Sequence, residues 1–249
     1  MLIEDGTGGI ERVTGRAGVL AMAGDDPYVR MVLTDHSTGY RGTGAVAWSG
    51  RTPRTPLLCA RGAPAEAARL LMELHHEGLI PPGTLLRLPP GTGEFLHSLR
   101  LRHVEDWQFR WTDGPPRPPG EPDPVEVLPA AREITELLDS GNPGSSVRPG
   151  APHIRRWYGI RDGGELVACG ADVSYGGVGY LAGLTVAPSH RGRGLGTALT
   201  SAMSRAAHAE FGVVALGVNA ANHGAIRLYE RLGFTDTVEV SAHELLAPS

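Results

Sequence analysis

A proline-rich segment divides this sequence into two parts. Six of the twelve residues in Asp113–Pro124 are proline. Proline has a fixed φ and no N–H, so neither a helix interior nor a central strand can run through such a segment. Proline-rich segments instead form stiff, extended connectors. The sequence therefore predicts an N-terminal domain at residues 1–112, a linker at 113–124 and a C-terminal domain at 125–249.

The C-terminal part alternates strand and helix signals. Glycine-containing turns separate three strand-like segments, which predicts an antiparallel meander; the segments are Arg156–Arg161, Leu166–Tyr175 and Gly179–Val186. Beyond the meander, the pattern predicts a helix from Leu195 to a C-cap at Gly212, a strand at 213–218, a helix at 223–232 capped by Asn222, and a strand at 235–240. These elements predict a mixed, mainly antiparallel sheet flanked by helices.

The N-terminal part also reads as α/β, with less regular signals. Strands are predicted at Val29–Leu33, Gly44–Trp48 and Leu57–Ala60, and a helix at Pro64–Glu77. Alternation in Trp107–Trp111 indicates one more strand. The two halves share no sequence repeat. That the first half is a smaller, degenerate copy of the second half's topology is a hypothesis.

Composition excludes several classes of protein. The chain has no lysine, which rules out a Walker A motif and a lysine Schiff base. A net charge of −4 does not suit nucleic-acid binding. Cys59 and Cys169 are too few for a disulfide framework, and we predict no metal site. No segment is apolar enough to span a membrane and no signal peptide is evident, so we expect a cytoplasmic protein.

The segment Arg191-Gly-Arg-Gly-Leu-Gly196 lies between a predicted strand and a predicted helix. Glycines let the backbone approach a ligand closely, and N–H groups at a helix N-terminus bind phosphate. A dinucleotide fingerprint beginning at Gly192 would require glycine at position 197, where this chain has Thr197. A plain tight turn before a helix is the alternative interpretation of the segment.

Two longer segments resemble a known family. Leu184–Gly196, with Val186-Ala-Pro followed by Arg191-Gly-Arg-Gly-Leu-Gly196, is similar to the acetyl-CoA-binding motif of the GCN5-related N-acetyltransferases (GNAT). Asn219–Phe234 is similar to the second signature of that family, with Asn222, Ala225, Leu228, Tyr229, Gly233 and Phe234 at its positions. The resemblance covers about residues 125–245 and implies the GNAT fold there.

The resemblance also implies roles for individual residues. Backbone groups of Leu184, Thr185 and Val186 would pair with the pantetheine arm of acetyl-CoA, with an N–H near Val186 polarising the thioester carbonyl. Asn222 would contact the cofactor arm and Tyr229 would protonate the leaving thiolate. The backbone amides implied to hold the pyrophosphate belong to Arg191, Gly192, Arg193, Gly194, Leu195 and Gly196.

The general base does not follow from the resemblance. Some relatives carry a glutamate where this chain has Gly217. Asp172, Glu165, His153 or a chain of water molecules are the alternatives that the sequence offers.

The sequence thus predicts an N-acetyltransferase that moves acetyl from acetyl-CoA to a primary amine by direct attack in a ternary complex. A small-molecule amine is favoured, because the first half contains no recognisable peptide-binding module. A protein N-terminal acetyltransferase and a non-catalytic acyl-CoA sensor are the alternatives. We expect the N-terminal domain to serve the acceptor side, and we expect neither nucleic acid nor a membrane as partner. The sequence leaves open whether the chain forms a homodimer.

Overall fold

A computed structural model describes residues 9–52, 55–114, 125–129 and 131–247. The chain divides into two compact units. Unit 1 comprises Met1–Gln108 and Val238–Ser249, and unit 2 comprises Phe109–Thr237. No described helix is long and apolar enough to cross a membrane.

Unit 1 is built from strands β1 to β6 and helices α1 to α3. The elements in chain order are β1 (Glu11–Thr14), α1 (Arg16–Ala23), α2 (Pro27–Arg30), β2 (Thr38–Gly42), β3 (Ala45–Arg51), β4 (Pro56–Gly62), α3 (Pro64–His76), β5 (Leu85–Leu88) and β6 (Leu101–Thr112). Because the boundary follows Gln108, the last four residues of β6 belong to unit 2.

Unit 2 continues with strands β7 to β11 and helices α4 to α6. In chain order they are β7 (Glu126–Leu128), α4 (Ala131–Gly141), β8 (Arg156–Asp162), β9 (Glu165–Asp172), β10 (Gly179–Val186), α5 (Leu195–Phe211), β11 (Val214–Asn219) and α6 (His223–Arg231). The final strand, β12 (Asp236–Leu245), enters unit 1 from Val238 onward.

Each unit has a mixed sheet of the same plan. The strand order is β1-β2-β3-β4-β5-β12-β6 in unit 1 and β6-β11-β10-β9-β8-β7 in unit 2. In unit 1 the antiparallel strands β2, β3 and β4 lead through α3 to β5, which is parallel to β4. In unit 2 the antiparallel strands β8, β9 and β10 lead through α5 to β11, which is parallel to β10. The predicted mixed, mainly antiparallel sheet flanked by helices is confirmed.

Each unit has its own apolar core. In unit 1, α3 contributes Leu70, Leu71 and Leu74, all nearly inaccessible to solvent. In unit 2, α5 contributes Leu199 and Met203 to a core that also contains residues of β8 to β11. Burying one such side chain stabilises the folded state by about 1.5–3 kcal/mol, so these faces fix the helices on their sheets.

The structure departs from the sequence analysis in two places. Val29–Leu33 is not a strand, because Asp26 accepts a hydrogen bond from the N–H of Val29 and caps the short helix α2, with Pro27 in its first turn. The units also differ from the predicted contiguous domains, since the chain changes unit within β6 and returns within β12. Most of the predicted linker, residues 115–124, lies outside the described residues.

Candidate active site

The candidate site of unit 2 lies where β10 and β11 part. The two strands pair in parallel through Gly179–Val214, Tyr180–Ala215 and Leu181–Leu216, after which their described pairing ends. On its other edge, β10 stays paired with β9 as far as Val186–Ala168. The edge of Leu184–Val186 that would face β11 is therefore left for another extended segment, as in strand addition.

A β-bulge deforms β10 at this point. The register with β9 passes from Ala182–Ala171 to Thr185–Cys169, so β10 has one extra residue there. Gly183 within the bulge has a φ of 63°, which favours glycine. A Cβ at Gly183 would lie 3.6 Å from Ser145 Oγ and 3.6 Å from the Trp157 ring. The side chains of Ser145 and Trp157 therefore pack against the bulge, next to Leu184.

The glycine loop leads directly into α5. Gly192 and Gly194 have φ values of 77° and 84°, and Gly194 is the N-cap of the helix without any side-chain cap. The N–H groups of the first helical turn have no acceptor within the helix, so they are available as donors. The loop thus places free N–H donors at a helix N-terminus, which are groups able to bind an anion.

The loop, the end of β10 and α6 meet in space. A Cβ at Gly196 would lie 3.4 Å from Leu228 Cδ1 of α6 and 3.7 Å from Val186 Cγ2 of β10. These contacts bring together three sequence segments that the family resemblance treats separately. The predicted residues Leu184, Val186, Gly196 and Tyr229 therefore lie on neighbouring elements of one unit.

The loop's cationic side chains are held by protein oxygens. Arg191 donates to the carbonyls of Gly141 (2.9 Å) and Val186 (3.4 Å). Arg193 pairs with Asp162 at 3.0 Å, and His190 lies 3.5 Å from the same carboxylate. These contacts fasten the loop to α4 and to the β8–β9 turn. The backbone N–H groups at the start of α5 are further donors that the loop offers.

Asn222 caps α6. Its Oδ1 accepts from the N–H of Ala225 at 3.1 Å, which satisfies one of the free donors of the first turn. The side-chain Nδ2 makes no hydrogen bond among the described residues. The residue therefore has a structural acceptor and a separate donor for a ligand.

Two substitutions separate these functions of Asn222. Asn222→Asp keeps the capping oxygen but loses the Nδ2 donor, so we expect nearly wild-type stability and weaker acetyl-CoA binding. Asn222→Ala loses both and should lower the free energy of unfolding by about 1 kcal/mol as well. Urea denaturation and calorimetric titration with acetyl-CoA measure the two effects. Equal acetyl-CoA affinity for wild type and Asn222→Asp would show that the Nδ2 group of Asn222 does not contact acetyl-CoA.

Tyr229 lies in the core of unit 2 with 8% of its surface exposed. Its ring packs edge-on against Phe234, with centroids 6.1 Å apart. Burial, with a smaller contribution from Tyr180, raises the pKa of Tyr229 to about 12. The electrostatic effect of Tyr180 shows that the two tyrosines are near each other, and Tyr180 stands one residue before the last β10–β11 pair. The hydroxyl keeps its proton at any ordinary pH.

Sequence reasoning missed three neighbours of this site, namely Tyr180, Trp157 and Gly183. Tyr180 stacks on Phe109 with ring centroids 5.8 Å apart and an interplanar angle of 11°. Gly183 could have been recognised, because a glycine inside a strand pattern often marks a bulge. No sequence signal points to Tyr180 or Trp157, since their positions depend on which strands lie side by side.

The predicted alternatives for a general base have different surroundings. Asp172 is buried, accepts from the N–H and the hydroxyl of Ser174, and lies 3.6 Å from Arg155 and 3.5 Å from Arg156. Glu165 and His153 are exposed. Gly217 is exposed one residue beyond the last β10–β11 pair. Among the described residues, no cluster of His, Cys, Asp and Glu could hold a metal ion.

Residues 119–234 match the model of the acetyltransferase (GNAT) family. No curated protein matches the sequence.

Solved structures match over most of the chain. A GCN5-related N-acetyltransferase from Kribbella flavida is 20% identical, with a TM-score of 0.54 over 82% of this chain and 88% of its own. One from Sphaerobacter thermophilus is 16% identical, with a TM-score of 0.56 over 96% of both chains. A putative GNAT acetyltransferase from Novosphingobium aromaticivorans is 22% identical, with a TM-score of 0.52 over 93% and 96%.

At these identities the structural matches establish the fold alone. The family match covers β7 to α6, which contain the bulged strand, the glycine loop and the Tyr229 helix. Residues 119–234 of this chain are therefore an acetyltransferase domain of the GNAT family.

Proposed function

We propose that this protein is an N-acetyltransferase that transfers acetyl from acetyl-CoA to a primary amine of a small molecule. The parting of β10 and β11 beside a glycine loop at a helix N-terminus carries the proposal. The extended pantetheine arm fits the free edge of Leu184–Val186, and the pyrophosphate fits the amides of Arg191–Gly196. Both segments converge through Gly196 and Val186.

The reaction proceeds by direct attack of the neutral amine on the thioester carbon. A backbone N–H at the end of β10 stabilises the oxyanion of the tetrahedral intermediate. The C–S bond then breaks, the sulfur receives a proton from Tyr229, and the amine nitrogen releases its proton to solvent. Asp172 is an unsuitable base because its carboxylate is buried, accepts from Ser174 and lies beside Arg155 and Arg156, so it is already occupied by protein groups.

The high pKa of Tyr229 determines how this residue assists departure of the thiolate. A thiol has a pKa of about 8.5, so full proton transfer from a phenol of pKa about 12 to a thiolate is uphill by about 5 kcal/mol. Tyr229 therefore acts first as a hydrogen-bond donor to the charge that develops on sulfur. The acylated amine releases a proton to solvent, and Tyr229 takes a proton back from solvent. Together these two steps make the overall protonation of the thiolate favourable.

An acyl-cysteine intermediate is disfavoured. Cys169 pairs with Thr185 across β9 and β10, which places its backbone beside the site. Its side chain is inaccessible, and burial raises the pKa of its thiol to about 12. Because the thiolate is the nucleophilic form, Cys169 is unreactive at neutral pH. This supports transfer within a ternary complex.

A panel of amines tests the proposal. We expect thiol release from acetyl-CoA with at least one small primary amine, and an N-acetylated product by mass spectrometry. Background from the protein should be low, because Cys59 and Cys169 are both buried. Turnover on peptides with free N-termini alone would identify a protein N-terminal acetyltransferase instead. Acetyl-CoA binding without turnover on any amine or peptide would identify an acyl-CoA sensor.

A further inference from the structure

Arg87, the third residue of β5 in unit 1, is a half-buried arginine without a counter-charge. Within the part of the chain that the structure describes, it makes no hydrogen bond and no ion pair. Its Nε is closed off from solvent and has no acceptor. A buried donor without an acceptor destabilises the folded state, so such a group usually has a compensating ion or a function.

The strand register places Arg87 on the face of the sheet opposite α3. Cys59 of β4 pairs with Arg87, and Trp48 of β3 pairs with Cys59. Residues that are paired directly across strands point to the same face. Their chain neighbours Leu58 and Leu86 point to the other face, where they join the core beneath α3. Arg87, Cys59 and Trp48 therefore form one row across three strands.

Aromatic rings hold Arg87 in place. Its guanidinium carbon lies 5.0 Å from the ring centre of Trp107. The ring of Tyr28, from α2, lies on the same face, with its centre 6.4 Å from that of Trp107 and 6.1 Å from that of Trp48. The ring attracts the cation and orients its plane, but it carries no net charge. The positive charge of Arg87 is therefore oriented without being neutralised.

The neighbouring polar groups do not neutralise Arg87 either. Burial raises the pKa of the Cys59 thiol and the pKa of the Tyr28 hydroxyl, so both groups keep their protons at neutral pH. The charge of Arg87 offsets only part of each rise, which shows that it lies near both groups. Thiol and phenol thus remain uncharged beside the cation.

Two carboxylates of unit 1 in this region are already paired with other arginines. Asp26, which precedes Tyr28 by two residues, lies 2.5 Å from Arg61. Glu244 of β12 forms an ion pair with Arg102 of β6. Neither acid therefore serves as the counter-charge of Arg87.

The Nη1 and Nη2 groups of Arg87 are the donors left for a ligand. Only Nε is buried among the three nitrogens, and neither Nη group donates to a described residue. Two coplanar donors at this spacing match the two oxygens of a carboxylate. A single unneutralised charge suits a monoanion, and Trp107 is only half-buried, so it leaves apolar surface beside the guanidinium.

From these groups we infer that unit 1 binds a small monocarboxylate with an apolar body at Arg87. The carboxylate accepts from Nη1 and Nη2 and supplies the missing negative charge, while the apolar body lies against Trp107. The inference is separate from acetyl transfer, because it uses no residue of the proposed acetyl-CoA site.

Calorimetric titration of the full chain with benzoate, without any acyl donor, tests this site. We expect benzoate to bind at least tenfold more tightly than benzamide, which keeps the ring and lacks the charge. Benzoate should also bind at least tenfold more tightly than inorganic phosphate, which has no apolar body. No benzoate binding, or equal binding of benzoate and either of the other probes, would overturn the inference. Because acetyl-CoA is absent, the result does not depend on the proposed function.

Substitutions at Arg87 locate the binding. Arg87→Met keeps a long apolar stem and removes the charge, so benzoate should bind at least tenfold more weakly. Without ligand, this variant should melt at or above the wild-type temperature, because the unsatisfied donor is gone. Arg87→Lys keeps the charge without the planar pair of donors and should bind at least threefold more weakly. If both variants bind benzoate as tightly as the wild type does, its site lies elsewhere and the inference is wrong.

Arg12→Met provides the comparison for a stacked arginine in water. The guanidinium carbon of Arg12 lies 5.8 Å from the ring centre of Tyr40, but Arg12 is exposed, so water satisfies its donors. This variant should bind benzoate as the wild type does. Equal losses of affinity in Arg12→Met and Arg87→Met would mean that benzoate responds only to the net charge of the protein, which also contradicts a site at Arg87.

Discussion

Tyr229→Phe is expected to lower kcat about a hundredfold or more while leaving acetyl-CoA affinity within a factor of three. The size of the loss follows from the usual contribution of a positioned proton donor. Phenylalanine preserves the ring and its edge-on contact with Phe234, so the core of unit 2 should remain intact. Steady-state rates with saturating amine and acetyl-CoA measure the effect, and calorimetry gives the affinity.

Tyr40→Phe is the matched control. Tyr40 lies in β2 of unit 1 and is 7% exposed, so it resembles Tyr229 in residue type and burial. We expect wild-type kcat for this variant. A Tyr229→Phe enzyme with unchanged kcat would remove Tyr229 from the mechanism and leave solvent as the donor to sulfur.

The raised pKa of Tyr229 also predicts the alkaline behaviour. Burial disfavours the charged phenolate, so the hydroxyl remains protonated until the pH approaches about 12. Activity should therefore rise as the acceptor amine loses its proton, and Tyr229 should cause no decline up to about pH 10. Rates of the wild type between pH 7 and 10 check this. A decline below pH 10 that is absent in Tyr229→Phe would contradict the buried, protonated state.

The sequence predicts the second half of the fold well because several signals agree there. Strand β10 and helix α5 begin at the predicted residues, and Gly212 ends α5 in the left-handed conformation. Where signals conflict, the prediction fails. The segment Val29–Leu33, apolar except for Arg30, resembles a strand, but Asp26 and Pro27 are typical of a helix start and take precedence.

The sequence predicts where a strand lies more readily than it predicts which strand is its neighbour in the sheet. The alternation at residues 235–240 correctly indicates a strand, yet nothing in it indicates that β12 lies between β5 and β6 in unit 1. A strand's own side chains specify which face is buried, whereas its neighbour depends on the whole sheet. For the same reason the shared plan of the two units became evident from the register of β4–β5 and β10–β11, without a sequence repeat.

Gly194→Ala should weaken acetyl-CoA binding at least tenfold. Gly194 has a φ of 84°, and a Cβ there would meet no atom within 4 Å, so the effect arises from backbone conformation and not from a clash. Holding alanine in the left-handed region costs about 1–2 kcal/mol. The loop can avoid that cost by changing its conformation, which turns its N–H groups away from the phosphate position. Calorimetric titration measures the affinity and urea denaturation the stability.

Gly78→Ala provides a control with the same backbone constraint. Gly78 has a φ of 72° in unit 1, with no atom within 4 Å of an added Cβ. It should lose similar stability and keep wild-type acetyl-CoA affinity. If Gly194→Ala behaved like Gly78→Ala in both measurements, the loop would be a plain turn and the pyrophosphate would lie elsewhere. A tenfold loss confined to Gly194→Ala would mean that the backbone conformation of the loop before α5 is needed to hold the acyl donor.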